Sequence, residues 1–231
     1  MKKRTKPQIA VIGLGAFGMA LVKTLGREGA NVIAVDTNMD HLDEVKHLTR
    51  DTICFDATDV RQLRNHGITE VDKAVIAIGK TFEPVVIIAM ELLKSGVREV
   101  YARAATETQE EILKRIGVTE VIHPERQVGE RMGISLNRNG MRDLLELGDG
   151  FSILEIEVPN SMLNYSIVEL KLRERYGINV LTIRRPSQGE GETESILKTL
   201  GIPEPTTKFL SGDRIVVFGK KSDCDKLLEL H

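Results

Sequence analysis

The sequence predicts an α/β protein in which a doubly wound parallel sheet is followed by a small α+β domain. Two observations support this fold class. Short apolar runs alternate with helix-like segments over roughly the first half of the 231 residues. From residue 151 the pattern changes to the period-two alternation of an antiparallel strand. We therefore expect one domain over residues 1–140 and a second over residues 141–231.

Six apolar runs predict the strands of the first domain: Ile9–Ile12, Val32–Asp36, Thr52–Phe55, Ala74–Ile78, Val100–Arg103 and Val121–Ile122. Five segments between them predict helices: Phe17–Glu28, Met39–Leu48, Val60–His66, Glu83–Lys94 and Thr106–Ile116. Strands that alternate with helices form parallel sheets through right-handed crossovers.

A glycine motif, G-x-G-x-x-G, follows the first strand directly and opens the first helix. In this context Gly13 permits a tight turn, Gly15 allows close approach of a pyrophosphate, and Gly18 lets the helix pack on the strand. Asp36 ends the second strand, where a carboxylate accepts hydrogen bonds from ribose hydroxyls and repels a 2′-phosphate. The motif predicts a Rossmann-like domain that binds an adenine nucleotide such as NAD.

Ligands of such sheets lie outside the carboxyl ends of the strands. We therefore add the residues that follow the third to sixth strands to the glycine loop and Asp36. The predicted nucleotide-binding residues are Gly13, Gly15, Ala16, Phe17, Gly18, Asp36, Asp56, Ala57, Thr58, Ala77, Ile78, Gly79, Arg103 and Glu125.

The composition excludes several classes of function. The formal net charge is −2 and Trp is absent, so neither the basic excess nor the stacking surface of a nucleic-acid-binding protein is present. Two distant cysteines, Cys54 and Cys224, fit a reducing cytoplasm. The basic start followed by apolar residues resembles a signal peptide, but the glycine motif in the same stretch favours a strand and a helix.

The second half predicts a different set of elements. Pro124 begins a long helix from Glu125 to about Leu147. The segments that follow predict the strand Phe151–Val158, the helix Ser166–Tyr176, the strand Asn179–Arg185, a polar loop over Ser187–Thr193, the strands Thr206–Leu210 and Arg214–Phe218, and the helix Asp223–Leu230.

Two apolar surfaces predict a homo-oligomer. The helix around Val85–Met90 is apolar on nearly every face, and Val128, Met132 and Leu136 form a stripe with helical spacing. The stripe could equally cover its own domain, and both interpretations stay open.

The sequence offers little for catalysis. A dehydrogenase needs an acid or base beside the nicotinamide, yet no Tyr-x-x-x-Lys pair occurs and His123, next to the strand ends, has no evident partner. No metal or acyl-transfer motif is present. A NAD-dependent oxidoreductase and a stand-alone nucleotide-sensing regulator remain alternatives.

Several segments in order resemble the cytosolic RCK proteins, the TrkA/KtrA type of potassium-transport regulatory subunit. They are the glycine loop, Asp36, Asp56–Thr58, Ile122–Arg126, Leu170–Val180 and Ser211–Arg214. The resemblance covers nearly the whole chain. It implies a cytoplasmic subunit without catalytic activity that forms dimers and an octameric ring beneath a membrane K⁺ channel subunit, where ATP, ADP or NAD(H) controls the pore.

The resemblance also implies finer features. Members often carry Arg where Ala16 stands, so its absence favours ADP or NAD(H) over ATP. Glu125 matches a position where a carboxylate can help to hold a divalent or monovalent cation near the phosphates. In the second domain, some members bind cyclic di-AMP between two subunits at the positions of Ile167, Val168, Arg173, Asn179 and Val180; these residues could instead be core and surface.

Overall fold

The computed structural model describes residues 6–137, 141–187 and 196–228 of the chain. They form two compact units, Met1–Gln127 and Val128–His231. The division falls inside the helix that follows Pro124 and therefore before residue 140, where the sequence predicts the domain boundary.

The first unit contains one six-stranded parallel sheet, as the alternation predicts. Its strands are β1 (Gln8–Ile12), β2 (Asn31–Asp36), β3 (Asp51–Cys54), β4 (Lys73–Ile76), β5 (Glu99–Arg103) and β6 (Glu120–Ile122). They lie in the order β3-β2-β1-β4-β5-β6. The order reverses between β1 and β4, which creates a crevice at their carboxyl ends.

Helices connect these strands: α1 (Ala16–Arg27), α2 (Met39–Val45), α3 (Val60–Asn65), α4 (Glu83–Lys94) and α5 (Glu107–Ile116). Two buried clusters lie on opposite faces of the sheet, because successive residues of a strand point to opposite faces. Ala10 and Ile12 of β1 belong to one cluster and Val11 to the other. Burial on both faces explains the continuous apolar runs of the sequence.

After β6 the helix α6 (Pro124–Asn137) leads into an antiparallel sheet. Its strands are β7 (Met141–Gly148), β8 (Phe151–Glu157), β9 (Asn179–Ser187), β10 (Ile196–Thr199) and β11 (Arg214–Lys220), in the order β10-β9-β11-β8-β7. The described part of this unit also contains the α-helices α7 (Ile167–Leu170), α8 (Leu172–Tyr176) and α9 (Lys221–Leu228). One face of the sheet contributes Leu154, Ile183 and Ile215 to a core that these helices share.

The predicted helix from Glu125 to Leu147 is wrong in its second half. The helix ends at Asn137, and Met141–Gly148 forms β7, which pairs antiparallel with β8. Residues 148–150 all have positive φ and make the turn between the two strands. Gly-Asp-Gly is a hairpin signal, and it outweighs the helical spacing before it.

Three further predictions in the second unit need correction. The helix Ser166–Tyr176 is broken at Lys171, whose φ of +49° lies in the left-handed region. Thr206–Leu210 is not a strand, since its only ladder contact in the described structure is an isolated bridge between Ser166 and Lys208. The strand Ile196–Thr199 is absent from the sequence prediction. Most of the predicted 187–193 loop and the end of the last helix, 229–230, lie outside the described residues.

Among the residues with described structure, no helix is both long and apolar enough to span a bilayer.

Candidate functional site

A cavity of about 870 Å³ opens at the carboxyl ends of the parallel strands, at the position where the strand order reverses. It is lined from four sides by the glycine loop and by the segments that follow β2, β3 and β4. Arg103, at the end of β5, completes the lining. The size is that of a site for a small-molecule ligand or cofactor.

The glycine loop has the geometry that a phosphate-binding turn requires. Gly13 has a φ of +95° and donates its N–H to the carbonyl of Val35 at 2.8 Å. A Cβ atom at Gly18 would overlap the carbonyl oxygen of Gly13, so only glycine lets α1 pack this closely. A Cβ at Gly15 would meet nothing within 4 Å, so this position faces open space.

The amino end of α1 suits an anion. Gly15 precedes the helix without a side-chain cap, and the first turn holds no acidic residue. The N–H groups of a first helical turn have no partner inside the helix and carry partial positive charge. Because Gly15 and Ala16 line the cavity, a phosphate there would lie at this helix end.

Asp36 holds the glycine loop in place. Its carboxylate accepts the N–H of Leu14 at 2.5 Å and the N–H of Asn38 at 2.7 Å. The side chain is only 12% exposed, and His41 Nδ1 lies 3.5 Å from one of its oxygens. A carboxylate has about four acceptor positions, so Asp36 keeps capacity for a ligand hydroxyl beside its two backbone bonds.

A second carboxylate stiffens the segment after β3. Asp56 accepts the backbone N–H of Thr58 at 2.9 Å and its hydroxyl at 2.7 Å. These two hydrogen bonds lower the pKa of Asp56 from its ordinary value, with the backbone bond as the larger cause. Asp56 therefore stays ionised at neutral pH, and the turn places Ala57 and Thr58 in the cavity wall.

Arg103 reaches across the sheet edge to lie over Gly79. A Cβ at Gly79 would overlap the guanidinium, so the Arg103 side chain lies directly on this glycine. Arg103 pairs through Nη2 with Glu125, in the first turn of α6. Its Nε is buried and has no hydrogen-bond partner among the described residues. The same side chain also lines a smaller adjoining cavity of about 100 Å³.

The cavity brings most of the predicted nucleotide-binding residues together. Three do not line it: Phe17, Gly18 and Glu125. The sequence analysis missed several lining residues: Thr37, Asn38, His41, Phe55, Thr81, Glu83, Pro84 and Ile87. Asn38 and His41 follow the end of β2 as Thr58 follows the end of β3, so the rule applied to the other strands would have found them.

His123, for which the sequence shows no partner, has one in the structure. Its Nε2 lies 2.7 Å from Glu110 Oε2, and the imidazole is almost fully buried. Lys114 also contacts Glu110, at 2.7 Å, and is the main cause of the lowered pKa of this carboxyl group. The cluster joins α5 to the start of α6. It does not line the cavity.

The predicted effector residues of the second unit divide into two groups. Ile167 and Val180 pack against the apolar core. Val168, Arg173 and Asn179 are exposed. Each placement fits a folded core with a polar surface as well as a ligand site.

The predicted oligomerisation stripe is exposed on α6: Val128, Met132 and Leu136 are each more than half accessible. On α4, by contrast, Val85, Ile88 and Leu92 are buried within the first unit, while Met90 faces outward. Over the described parts of the chain, no group of three or more His, Cys, Asp or Glu side chains is arranged to hold a metal ion.

Family models match both units. The TrkA-N domain model matches residues 9–124, and the TrkA-C domain model matches residues 153–231. The first range contains all predicted nucleotide-binding residues except Glu125, and the second contains the five predicted effector residues.

Whole-chain relatives carry names from potassium transport. The Ktr system potassium uptake protein C of Bacillus subtilis is 32% identical over 221 residues, which cover 96% of each chain. The Ktr system potassium uptake protein A of the same organism is 27% identical, with 94% of this chain and 93% of the relative covered. Among solved structures, the GsuK channel bound to NAD superposes with a TM-score of 0.61 at 16% identity. That match covers all of this chain and 40% of the channel chain, and it supports the fold alone.

Proposed function

Because this chain belongs to the family of TrkA/KtrA-type RCK-domain regulatory subunits, we propose that it is the cytosolic regulatory subunit of a K⁺ uptake system. Its first unit binds an adenine nucleotide in the cavity at the carboxyl ends of the strands. The observation that carries this proposal is the geometry of the glycine loop. Gly15 faces open space at the amino end of α1, and Asp36 holds the loop by accepting the N–H of Leu14.

Each part of the cavity has a role in this proposal. The N–H groups of Gly15 and Ala16 hold the phosphates at the helix end. Asp36 accepts the ribose hydroxyls, and the segment of Asp56 and Thr58 borders the adenine base. Arg103 supplies the positive charge opposite the phosphates. With Ala16 in the loop instead of an arginine, ADP or NAD(H) is favoured over ATP.

The nucleotide acts by shifting an equilibrium between two shapes of an oligomer. A ligand that binds one shape more tightly changes the populations without chemistry, so the chain needs no catalytic residues and is not an enzyme. The subunits form dimers and then an octameric ring, with Val128, Met132 and Leu136 of α6 in the interface. The ring lies at the inner face of the membrane and controls a membrane-embedded K⁺ channel subunit.

Membership of this family supports two further ligand sites, one for cyclic di-AMP and one for a cation. Cyclic di-AMP binds across a two-fold interface of the second unit, with Arg173 and Asn179 as polar contacts and Ile167, Val168 and Val180 as apolar walls. Because Ile167 and Val180 also pack on the core, the clean test is Arg173→Ala in the full chain. This variant should fold normally and lose cyclic di-AMP affinity. A cation beside the phosphates, held by Glu125, is a further family feature that would require Glu125 to leave Arg103.

The proposal is tested with the membrane subunit present. Vesicles that contain a K⁺ channel subunit of this transporter class should show a K⁺ flux that changes when the chain and ADP, ATP or NADH are added. Mass spectrometry of protein purified without added ligand should identify an adenine nucleotide. Steady NADH oxidation with a small carbonyl compound, without an effect on K⁺ flux, would instead favour the oxidoreductase.

A further inference from the structure

Arg103 stands between two acceptors, the proposed phosphate position and its own Glu125. It lines the nucleotide cavity, yet its Nη2 group is bound by a carboxylate that lies outside the cavity lining. We propose that Glu125 is a built-in competitor for Arg103, which bound phosphates displace, so that the cavity senses phosphate charge through this exchange. This inference rests on the proposed nucleotide binding.

The burial of the two partners differs in the way that an exchange requires. The Arg103 side chain is 20% exposed and lies over Gly79, whereas that of Glu125 is 65% exposed. An ion pair with one solvated partner contributes little stability, because water can solvate the carboxylate in place of the arginine at low cost. The arginine is therefore the more enclosed partner, and the more solvated carboxylate is the partner that leaves.

Arg103 also has unused donor capacity. A guanidinium has five N–H donors, and its Nε is buried and unpartnered within the described structure. Phosphate oxygens accept two parallel bonds from the fork of an arginine, which a single carboxylate oxygen does not satisfy. Bound phosphate would therefore satisfy the Nε group as well as replace Glu125.

The position of Glu125 gives the exchange a consequence beyond the cavity. Glu125 lies in the first turn of α6, the helix that carries the exposed stripe of Val128, Met132 and Leu136. Without ligand, the ion pair ties the start of α6 to the end of β5. With phosphate bound, this tie is broken, and Glu125 remains stable at the helix amino end through the helix dipole.

Calorimetry on the full chain in EDTA tests the exchange, with ADP and adenosine as probes. Glu125→Gln should bind ADP about two- to five-fold more tightly than wild type, because the competitor is weakened. Its affinity for adenosine, which has no phosphate, should stay unchanged. Glu111→Gln, an exposed carboxylate on α5, is the matched control and should change neither affinity.

The role of Arg103 is tested in the second arm. Arg103→Gln should weaken ADP binding about ten-fold or more, while retained adenosine binding shows that the cavity is intact; Arg103→Lys serves where glutamine disturbs folding. In the Arg103→Gln background, Glu125→Gln should no longer tighten ADP binding. Tightening of the same size there would mean direct repulsion of phosphate by Glu125 and would overturn the exchange.

Two further outcomes separate the inference from its premise. If ADP binds wild type and Glu125→Gln binds it equally or more weakly, the competitor role is wrong; weaker binding that appears only with Mg²⁺ would assign Glu125 to a cation instead. If wild type binds none of ADP, ATP and NADH, the nucleotide-binding proposal itself fails, and the inference fails with it.

Discussion

Charged side chains at the strand ends of the first unit and within the sheet of the second unit are used in opposite ways. In the first unit, all strands are parallel, so the segments that follow them meet at one edge and place Asp36, Asp56 and Arg103 around an open cavity. In the second unit, the buried carboxylates Glu155 and Asp213 are neutralised by arginines of the same antiparallel sheet. The comparison indicates that the first unit keeps donors and acceptors for a ligand, whereas these charges of the second unit hold its own strands together.

Removal of the Asp213 carboxylate should have the largest effect on stability. Asp213 is fully buried and accepts Arg185 Nε at 2.8 Å, Arg185 Nη2 at 2.7 Å and the N–H of Leu210 at 2.8 Å. Asp213→Ala removes the carboxylate partner of Arg185 and the acceptor of the Leu210 N–H, and should cost about 3 kcal/mol. The rate of hydrogen exchange of the β11 amides at increasing urea concentration measures this loss of unfolding free energy.

The matched control is Asp149→Asn, which changes an exposed carboxylate in the turn between β7 and β8. Asparagine tolerates the positive φ of this position, so protection should stay at the wild-type level. Equal protection of β11 in the two variants would mean that the buried pair does not hold the second unit together.

The packing of the glycine loop should come next. Gly18→Ala places a Cβ against the Gly13 carbonyl oxygen, and overpacking of this kind costs about 1–3 kcal/mol. Gly129→Ala, in α6, meets no atom within 4 Å and should leave stability unchanged or slightly higher, because alanine favours helix. Thermal unfolding of both variants measures the difference; a Gly18→Ala protein as stable as wild type would contradict the close packing of α1 on β1.

The smallest effect is the pH dependence of stability that arises from Glu91, a buried carboxylate with a half-exposed arginine partner. The hydrogen bond from Arg64 is the main cause of the lowered pKa of Glu91, whose side chain is only 8% exposed. Because the pKa of Glu91 is lower in the folded chain than in the unfolded chain, its ionised form stabilises the fold. This stability is fully present above the ordinary Glu pKa of about 4.3, and it is lost as the pH falls through the lower pKa of the folded chain. Because Arg64 is 55% exposed, we expect less than about 1 kcal/mol.

In Glu91→Gln, the free energy of unfolding should therefore fall less steeply as the pH is lowered below about 4.3. Glu70→Gln, which changes an exposed carboxylate, is the control and should keep the wild-type pH dependence. Urea unfolding between neutral pH and about pH 3 measures both profiles. Parallel acid slopes for wild type and Glu91→Gln would show that this pair adds nothing to stability.

The sequence predicts the first unit far better than the second, for a physical reason. In the first unit, local signals agree with the fold: the apolar runs of β1, β2 and β4 are buried on both faces, and the glycine motif lies where the strand order reverses. In the second unit, Met141–Gly148 has helical spacing yet forms a strand, because the turn at residues 148–150 pairs it with β8 and this pairing outweighs the local spacing.

Side-chain partners are harder to predict than cavity-lining positions in both units. The sequence predicts that Asp56 and Arg103 line the cavity, because both residues stand at strand ends. The hydrogen bonds of Asp36 to Leu14 and of Asp213 to Arg185 join residues far apart in the chain, and no local pattern indicates them. The partner of His123, Glu110, is likewise set by the packing of α5 on β6.

The most direct test of the account is calorimetry of ADP and NADH binding to wild type and to Gly15→Ala. The backbone at Gly15, with φ −64° and ψ −174°, suits alanine, and the new Cβ meets no protein atom within 4 Å. The account predicts an unchanged melting temperature and at least a roughly ten-fold loss of affinity, because the Cβ occupies the space of the pyrophosphate. Equal affinity of the two proteins, or no binding by wild type, would contradict it.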